Sequence, residues 1–395
     1  MSFLAAAAED PTGVLLQITL IFAAAKVGGE IASRLGGVAL LGEIAAGAIL
    51  GPFALGWIRE DPVAVGLAEF GIIVLLFSVG LEMDFGQLRA VGPRGILVGT
   101  AGIVLPFIAG AGLMYATGHD STTALFMGTA LVATSVGITA RVLADLGLLG
   151  ETESVIILAA AVVDDVLGLL VLAAVTSLGT AGGFDPLHLA LLFAETLVFV
   201  GILLTIGRVG VRRHGHRVLQ LRIPHGSLSF ALLLCLVLAL LAGVIGLAAI
   251  VGAFLAGLLV ADLSEEEHRL QQELSPIRAL LVPFFFVMTG ARFDFATLLD
   301  PGAFVLGVTL TVLAILTKLV GCGLAMWGTT LRAAIRVGTG MVPRGEVGLV
   351  VASLGLAAGI IEGSLYGAVL MMVAVTTLVA PLLLGPAFAF RRVSA

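Results

Sequence analysis

Long apolar runs alternate along this chain with short polar breaks. Thirteen runs approach the length needed to cross a bilayer, beginning near Thr12, Gly36, Pro62, Pro93, Ser121, Glu151, Asp185, Gly226, Gly246, Ser275, Gly302, Thr330 and Gly363. A membrane helix needs roughly 20 consecutive apolar residues. Between the runs stand "IREDP", "TGHDS", "AGGFDP" and "LLDPG", clusters of turn formers and charges that end helices. A membrane β-barrel would show short alternating segments instead. The pattern predicts an all-α polytopic membrane protein of about 13 transmembrane helices.

Composition agrees. Of 395 residues, 59% are hydrophobic and 12% charged, with a mean hydropathy of +1.18. A soluble domain carries about twice that charged fraction. Cys235 and Cys322 lie in apolar runs and read as small core residues, not a disulfide framework. The opening "MSFLAAAAEDPTG" lacks a basic n-region and a clear cleavage site, so no removable signal peptide is expected. A single integral transporter domain over residues 1–395 is expected, with no soluble regulatory domain. Walker A, HExxH, GxSxG and Cys/His metal patterns are all missing from the sequence. The reading is therefore not an enzyme, and not a pump driven by ATP bound to this chain. No cofactor or nucleic-acid partner is implied.

Charge sets the expected orientation. With the N-terminus outside and the C-terminus inside, the cytoplasmic ends collect Arg34, Arg89, Arg94, Arg208, Arg212, Arg213, Arg217, Arg222, Arg269, Arg278, Arg332, Arg336, Arg391 and Arg392. The outside keeps Arg59 and Arg292. Positive charge favours the cytoplasmic side in this way, and the basic "RRHGHRVLQLR" loop would face the anionic inner leaflet.

The candidate chemistry lies in charges within apolar runs, where each is costly and by default functional. In "AAAVVDDVLGLLVLA" two carboxylates, Asp164 and Asp165, sit side by side. Adjacent helical residues point about 100° apart, so the two need not share a partner. Two buried carboxylates demand compensation. Lys318 in "LAILTKLVGCG" offers a fixed cation. A proton or a small hard cation from solution offers an exchangeable one, and a site that accepts either is built for exchange. Lys26, Glu30, Glu43, Glu69, Glu82 and Glu195 fall nearer the ends of their runs and read first as interfacial or interhelical pairs.

Two runs carry the marks of interrupted helices, near 121–145 and 330–359. In "ALVATSVGITARVL" the interruption is Thr134, Ser135 and Gly137; in "GTGMVPRGEVGLVV" it is Pro343, Gly345 and Gly348. Irregular backbone at membrane depth survives only inside protein or beside a cavity. Paired breaks in corresponding halves are the best sequence pointer to a transporter's binding site. The breaks stand about 208 residues apart, each in the fifth run of its half if a lone seventh run is set between the halves, and the letters alone do not establish a repeat. Half-helix ends that meet need compensating charge. Arg344 and Glu346 are placed to supply it, while Thr134 and Ser135 carry hydroxyls or freed carbonyls to the same crossing.

"ATSVGITARVLADLG", "AAAVVDDVLGLLVLA", "FFFVMTGARFDF" and "MVPRGEVGLVVASLGL", in this order, resemble the cation:proton antiporter-2 family, as do "LLGEIAAGAILGP" and "VLLFSVGLEMDF". The resemblance implies an inverted-repeat, NhaA/NapA-like fold with two crossing discontinuous helices, assembled as a homodimer of dimerisation and core subdomains. It assigns the ion-binding aspartate to Asp165, and to Asp164 the salt bridge with Lys318. Arg344 and Glu346 match the family's charged pair at the second broken helix. Potassium-efflux members replace the first aspartate with Gln, and electroneutral members lack the lysine; this chain has Asp-Asp and Lys together. The implied activity is electrogenic sodium/proton antiport in the bacterial inner membrane, with Na⁺ or Li⁺ and H⁺ competing at Asp165 and Asp164. A K⁺/H⁺ or broader monovalent-cation antiporter is the alternative. The small residues of "FAAAKVGGEIASRLGG" point to the first run as part of the dimer interface.

Overall fold

The computed structural model describes residues 11–35, 39–83, 85–179, parts of 191–213, 225–245, 247–261, 267–293 and 301–389. Among them every extended element is a helix. The first half gives α1 (Pro11–Arg34), α2 (Ala39–Leu50), α3 (Pro62–Leu81), α4 (Phe85–Ala116), α5 (Ser121–Ala130), α6 (Val136–Asp145) and α7 (Thr152–Gly179). The second gives α8 (Gly226–Val244), α9 (Ala249–Ala261), α10 (Glu267–Ala291), α11 (Pro301–Ala325), α12 (Leu331–Gly340), α13 (Glu346–Ala357) and α14 (Gly363–Ala389). Eight are long and apolar enough to cross a membrane, and three shorter helices are also apolar. The chain is a multi-pass membrane protein. The run expected near Asp185 begins outside the described residues, so the count of thirteen is not fixed by the described helices.

Two helix starts differ from the sequence reading. The runs expected to open at Pro93 and Ser275 begin at Phe85 and Glu267, so Pro93, Pro106, Pro276 and Pro283 lie inside helices. An interior proline loses one backbone hydrogen bond and normally ends a helix. In membrane bundles, neighbouring helices and local backbone adjustment satisfy the freed carbonyl.

The helices form two bodies. In one, α3 packs on α9 and α10, and α2 packs between α1 and α10, with α8 against α9. In the other, α4 packs along α7 and α11, and α14 lies against α11, α12 and α13. The second body contains a long–short–short–long order twice, α4 to α7 and α11 to α14. Asp120 caps α5 and Thr330 caps α12, each accepting a backbone N–H from the first turn. Such caps satisfy donors that the helix itself cannot. The Thr123 hydroxyl and amide and the Thr122 amide hold the Asp120 carboxyl below its ordinary range.

Small residues set the tightest crossing. A Cβ on Gly42 of α2 would overlap the carbonyl of Gly28 on α1, and the reverse holds too. Part of the small-residue stripe read as a dimer face is therefore spent inside the protomer. The outward side of α1 exposes Leu15, Val27 and Ile31 together with the charged Lys26, Glu30 and Arg34. Gly42→Val should push α1 off α2 and cost about 1–3 kcal/mol, as overpacking does. Thermal melting of the purified protein in detergent reads this, and an unchanged midpoint would contradict the close crossing.

Candidate functional site

The two short helix pairs are broken helices, and their breaks touch. Residues 131–135 separate α5 from α6, and 341–345 separate α12 from α13. The Ser135 amide donates to the Pro343 carbonyl at 2.8 Å, and the Thr139 hydroxyl donates to the Gly340 carbonyl at 2.7 Å. A Cβ on Gly345 would stand 2.7 Å from Ser135 Oγ, so only glycine leaves the two backbones room to cross. The Ser135 hydroxyl is buried, and it has no hydrogen-bond partner among the described residues.

α7 passes beside this crossing and brings the aspartates to it. Asp164 is fully engaged: Oδ1 accepts from Lys318 Nζ of α11 at 3.0 Å, and Oδ2 accepts from the Thr134 amide at 2.9 Å. Neither side chain of the Asp164–Lys318 pair has any exposure. Lys318 thus reaches the first break through Asp164. Asp165, the next residue, is 8% exposed against 1% for Asp164, and projects from a different side of α7. Thr134 contributes its amide to this site, while its hydroxyl reaches the Met341 carbonyl at 3.5 Å, a marginal contact.

Arg344 answers the exposed helix end at the second break. Its Nη1 donates to the carbonyls of Met341 and Val342, at 3.2 and 2.9 Å, just beyond the C-terminus of α12. Its Nη2 donates to the Ala314 carbonyl of α11 at 3.3 Å. A helix C-terminus carries partial negative charge that a cation offsets. Arg344 is entirely buried, and its charge also acts on Asp164 and Lys318. Among the described side chains the site therefore holds two fixed cations, Lys318 and Arg344, and the carboxylates of Asp164 and Asp165. Glu346 opens α13, and its side chain lies outside the described residues.

Sequence reasoning missed Thr376 and Thr377 of α14. Thr376 Oγ1 accepts from the Arg344 amide at 3.3 Å, and the Thr377 hydroxyl donates to the Arg344 carbonyl at 2.8 Å. Two adjacent hydroxyls in the apolar run "VAVTTLVAP" were the available signal. Of the other charges, Glu82 faces Arg278 at 3.4 Å, Lys26 donates to the Ala279 carbonyl at 3.1 Å, and Glu30 pairs with Arg34 at 2.7 Å. The first two join α3 and α1 to α10, and the third lies within α1.

A cavity of about 250 Å³ runs between the bodies, from Gly345 and Thr377 toward Arg292 and Phe293 at the end of α10. Its other walls come from α2 and α14. It reaches one face of the crossing.

Three comparisons bear on this arrangement. Residues 18–390 match the family described as sodium/hydrogen exchanger, transmembrane. The Na(+)/H(+)-K(+) antiporter GerN of Bacillus cereus is 36% identical over 369 residues, covering 92% of this chain and 94% of that protein. The high-affinity Na(+)/H(+) antiporter NhaS3 of Synechocystis is 35% identical over 410 residues, covering 93% and 88%. Among solved structures, the sodium proton antiporter MjNhaP1 from Methanocaldococcus jannaschii superposes with a TM-score of 0.67 at 17% identity, over 93% of this chain and 98% of that one. At that identity the likeness is one of fold.

Proposed function

We propose that this chain, which belongs to the sodium/hydrogen exchanger family, is an electrogenic sodium/proton antiporter whose ions compete for Asp165. The observation that carries the reading is the buried Lys318–Asp164 pair, held at two touching helix breaks, with a second carboxylate beside it. Asp164 is held in place by the protein's own donors. Asp165 then serves as the carboxylate that exchanges one cation for another, with Asp164 oxygens and the Thr134–Ser135 segment close by. Hard cations such as Na⁺ take oxygen ligands of this kind. A proton at Asp165 and a sodium ion at Asp165 exclude each other, which couples the two fluxes.

Alternating access follows from the two bodies. The second body, with both breaks and α7, moves against the first and carries the loaded site from one side to the other. Protons reach Asp165 from outside and Na⁺ displaces them from the cytoplasm. More protons than sodium ions cross per cycle, and each net charge draws about 2.3 kcal/mol per 100 mV from the membrane potential. The excess of arginine at one set of helix ends supports a bacterial inner-membrane orientation with the C-terminus in the cytoplasm. The exposed apolar side chains of α1, Leu15, Val27 and Ile31, suit a second copy in a homodimer.

The test is ion exchange in proteoliposomes with an acidic interior and a pH-sensitive dye. Added Na⁺ and Li⁺ should each dissipate the gradient, and K⁺ should not. The name of GerN includes K⁺, which makes the K⁺ arm informative. A response to K⁺ equal to that of Na⁺ would replace sodium selectivity with the broader reading. No response to any of the three would overturn the antiporter.

A further inference from the structure

One of the ion pairs among the described residues joins the two bodies. Glu43 of α2 faces Arg141 of α6, with Oε1 and Nη2 3.9 Å apart. Every other described ion pair stays within one body. Both partners are held for this meeting. Asp145, one turn on, accepts from Arg141 Nε at 2.9 Å, which leaves Nη2 to point across the cleft. The Phe286 ring of α10 lies under the guanidinium, 5.8 Å from its centroid. The Glu43 side chain is only 6% exposed, and its Oε2 accepts no hydrogen bond.

The position of the pair is as telling as its chemistry. Gly137, one turn before Arg141 on the same helix face, lies against Ile72 of α3 and Phe285 of α10. This end of the cleft is therefore packed shut. The cavity opens along the other half of the same cleft, toward Ile49, Arg292 and Phe293. A buried carboxylate whose ion-pair partner among the described residues stands on the opposite body favours one relative placement of the bodies and loses that partner in any other; the charge of Lys26, on its own body, acts on Glu43 in both.

We propose that Glu43 and Arg141 form a latch that closes one end of the cleft, parts when the bodies move, and so sets how the two access states are populated. The latch rests on the alternating-access reading above. It acts on the conformational step and does not touch the ion, so Glu43 and Arg141 are positioning residues.

The test reads the cleft directly. Ile72→Cys places a thiol one turn inside the latch, and the native thiols of Cys235 and Cys322 are buried. The Ile72→Cys protein is reconstituted and treated with a membrane-impermeant maleimide from each side in turn. Adding Glu43→Gln should raise labelling from the latch side about tenfold, the effect of losing a contact that favours one of two states by that factor. Arg141→Gln should do the same, and the double variant should label no faster than either single one. General loosening of the fold would instead add the two effects and raise labelling from both sides. Additive effects, or labelling unchanged by Glu43→Gln, would overturn the latch while leaving exchange by the unsubstituted protein intact. Labelling that shifts as expected in a protein that exchanges no ions would keep the latch and reject the antiporter.

Discussion

Asp165→Asn is expected to abolish sodium/proton exchange while leaving the fold in place. The substitution keeps the shape of the side chain and removes its charge. In the native site two fixed cations, Lys318 and Arg344, act on Asp164, and Asp165 is the next residue along α7. Asn at 165 takes one carboxylate away from beside these cations, and the site loses attraction for Na⁺. A neutral amide also cannot release a proton at any accessible pH. Exchange in proteoliposomes should fall to the level of empty vesicles. The thermal midpoint should stay near wild type, because Lys318 and the Thr134 amide keep Asp164 as their partner. Asp165→Glu retains the charge and should keep measurable exchange. Wild-type exchange by Asp165→Asn would remove Asp165 from the mechanism and leave the aspartate pair as structure.

Lys318→Gln should have the opposite profile, with its largest effect on stability. Removing one partner of a buried ion pair strands the other charge, at a cost of about 3–5 kcal/mol. Here the stranded group is Asp164, whose side chain has no exposure and keeps only the Thr134 amide. The loss should also loosen the first break, since Asp164 ties it to α11. Asp164→Asn placed in the Lys318→Gln protein should recover most of that stability, because a neutral pair can exchange hydrogen bonds without an uncompensated charge. Melting of the wild type, both single variants and the double variant closes a double-mutant cycle, and the coupling should be large and favourable. A coupling near zero would mean that the 3.0 Å contact contributes nothing to the folded state. Exchange should remain impaired in the double variant despite its recovered stability, since the site has lost its fixed cation.

The membership of the sodium/hydrogen exchanger family bears out the resemblance read from motifs, and the helical membrane fold was legible before any contact was known. Apolar run length is a local property, and it marked Pro62, Ser121, Gly226 and Gly363 as helix starts to the residue or nearly so. Where local signals mislead, the neighbours are the reason. Pro93 and Pro276 read as helix starts, but packing carries both helices through them. Gly28 reads as part of a dimer face, yet its partner is Gly42, which lies on the next helix.

Sequence alone determined that carboxylates and a lysine are buried in apolar runs, and that two runs are broken. Both follow from residue type, because a charge or a helix breaker is costly in hydrocarbon wherever the chain leads. Only the tertiary structure decided which groups meet. That Arg344 reaches the Ala314 carbonyl of α11, and that Thr376 and Thr377 hold its break to α14, are pairings across long stretches of chain, as is the Lys318–Asp164 pair that the resemblance implied. The pairing of Glu43 with Arg141 is of the same kind. Hydrogen bonds and ion pairs act over a few ångströms, so their partners are set by how helices pack, which spacing along one chain does not encode.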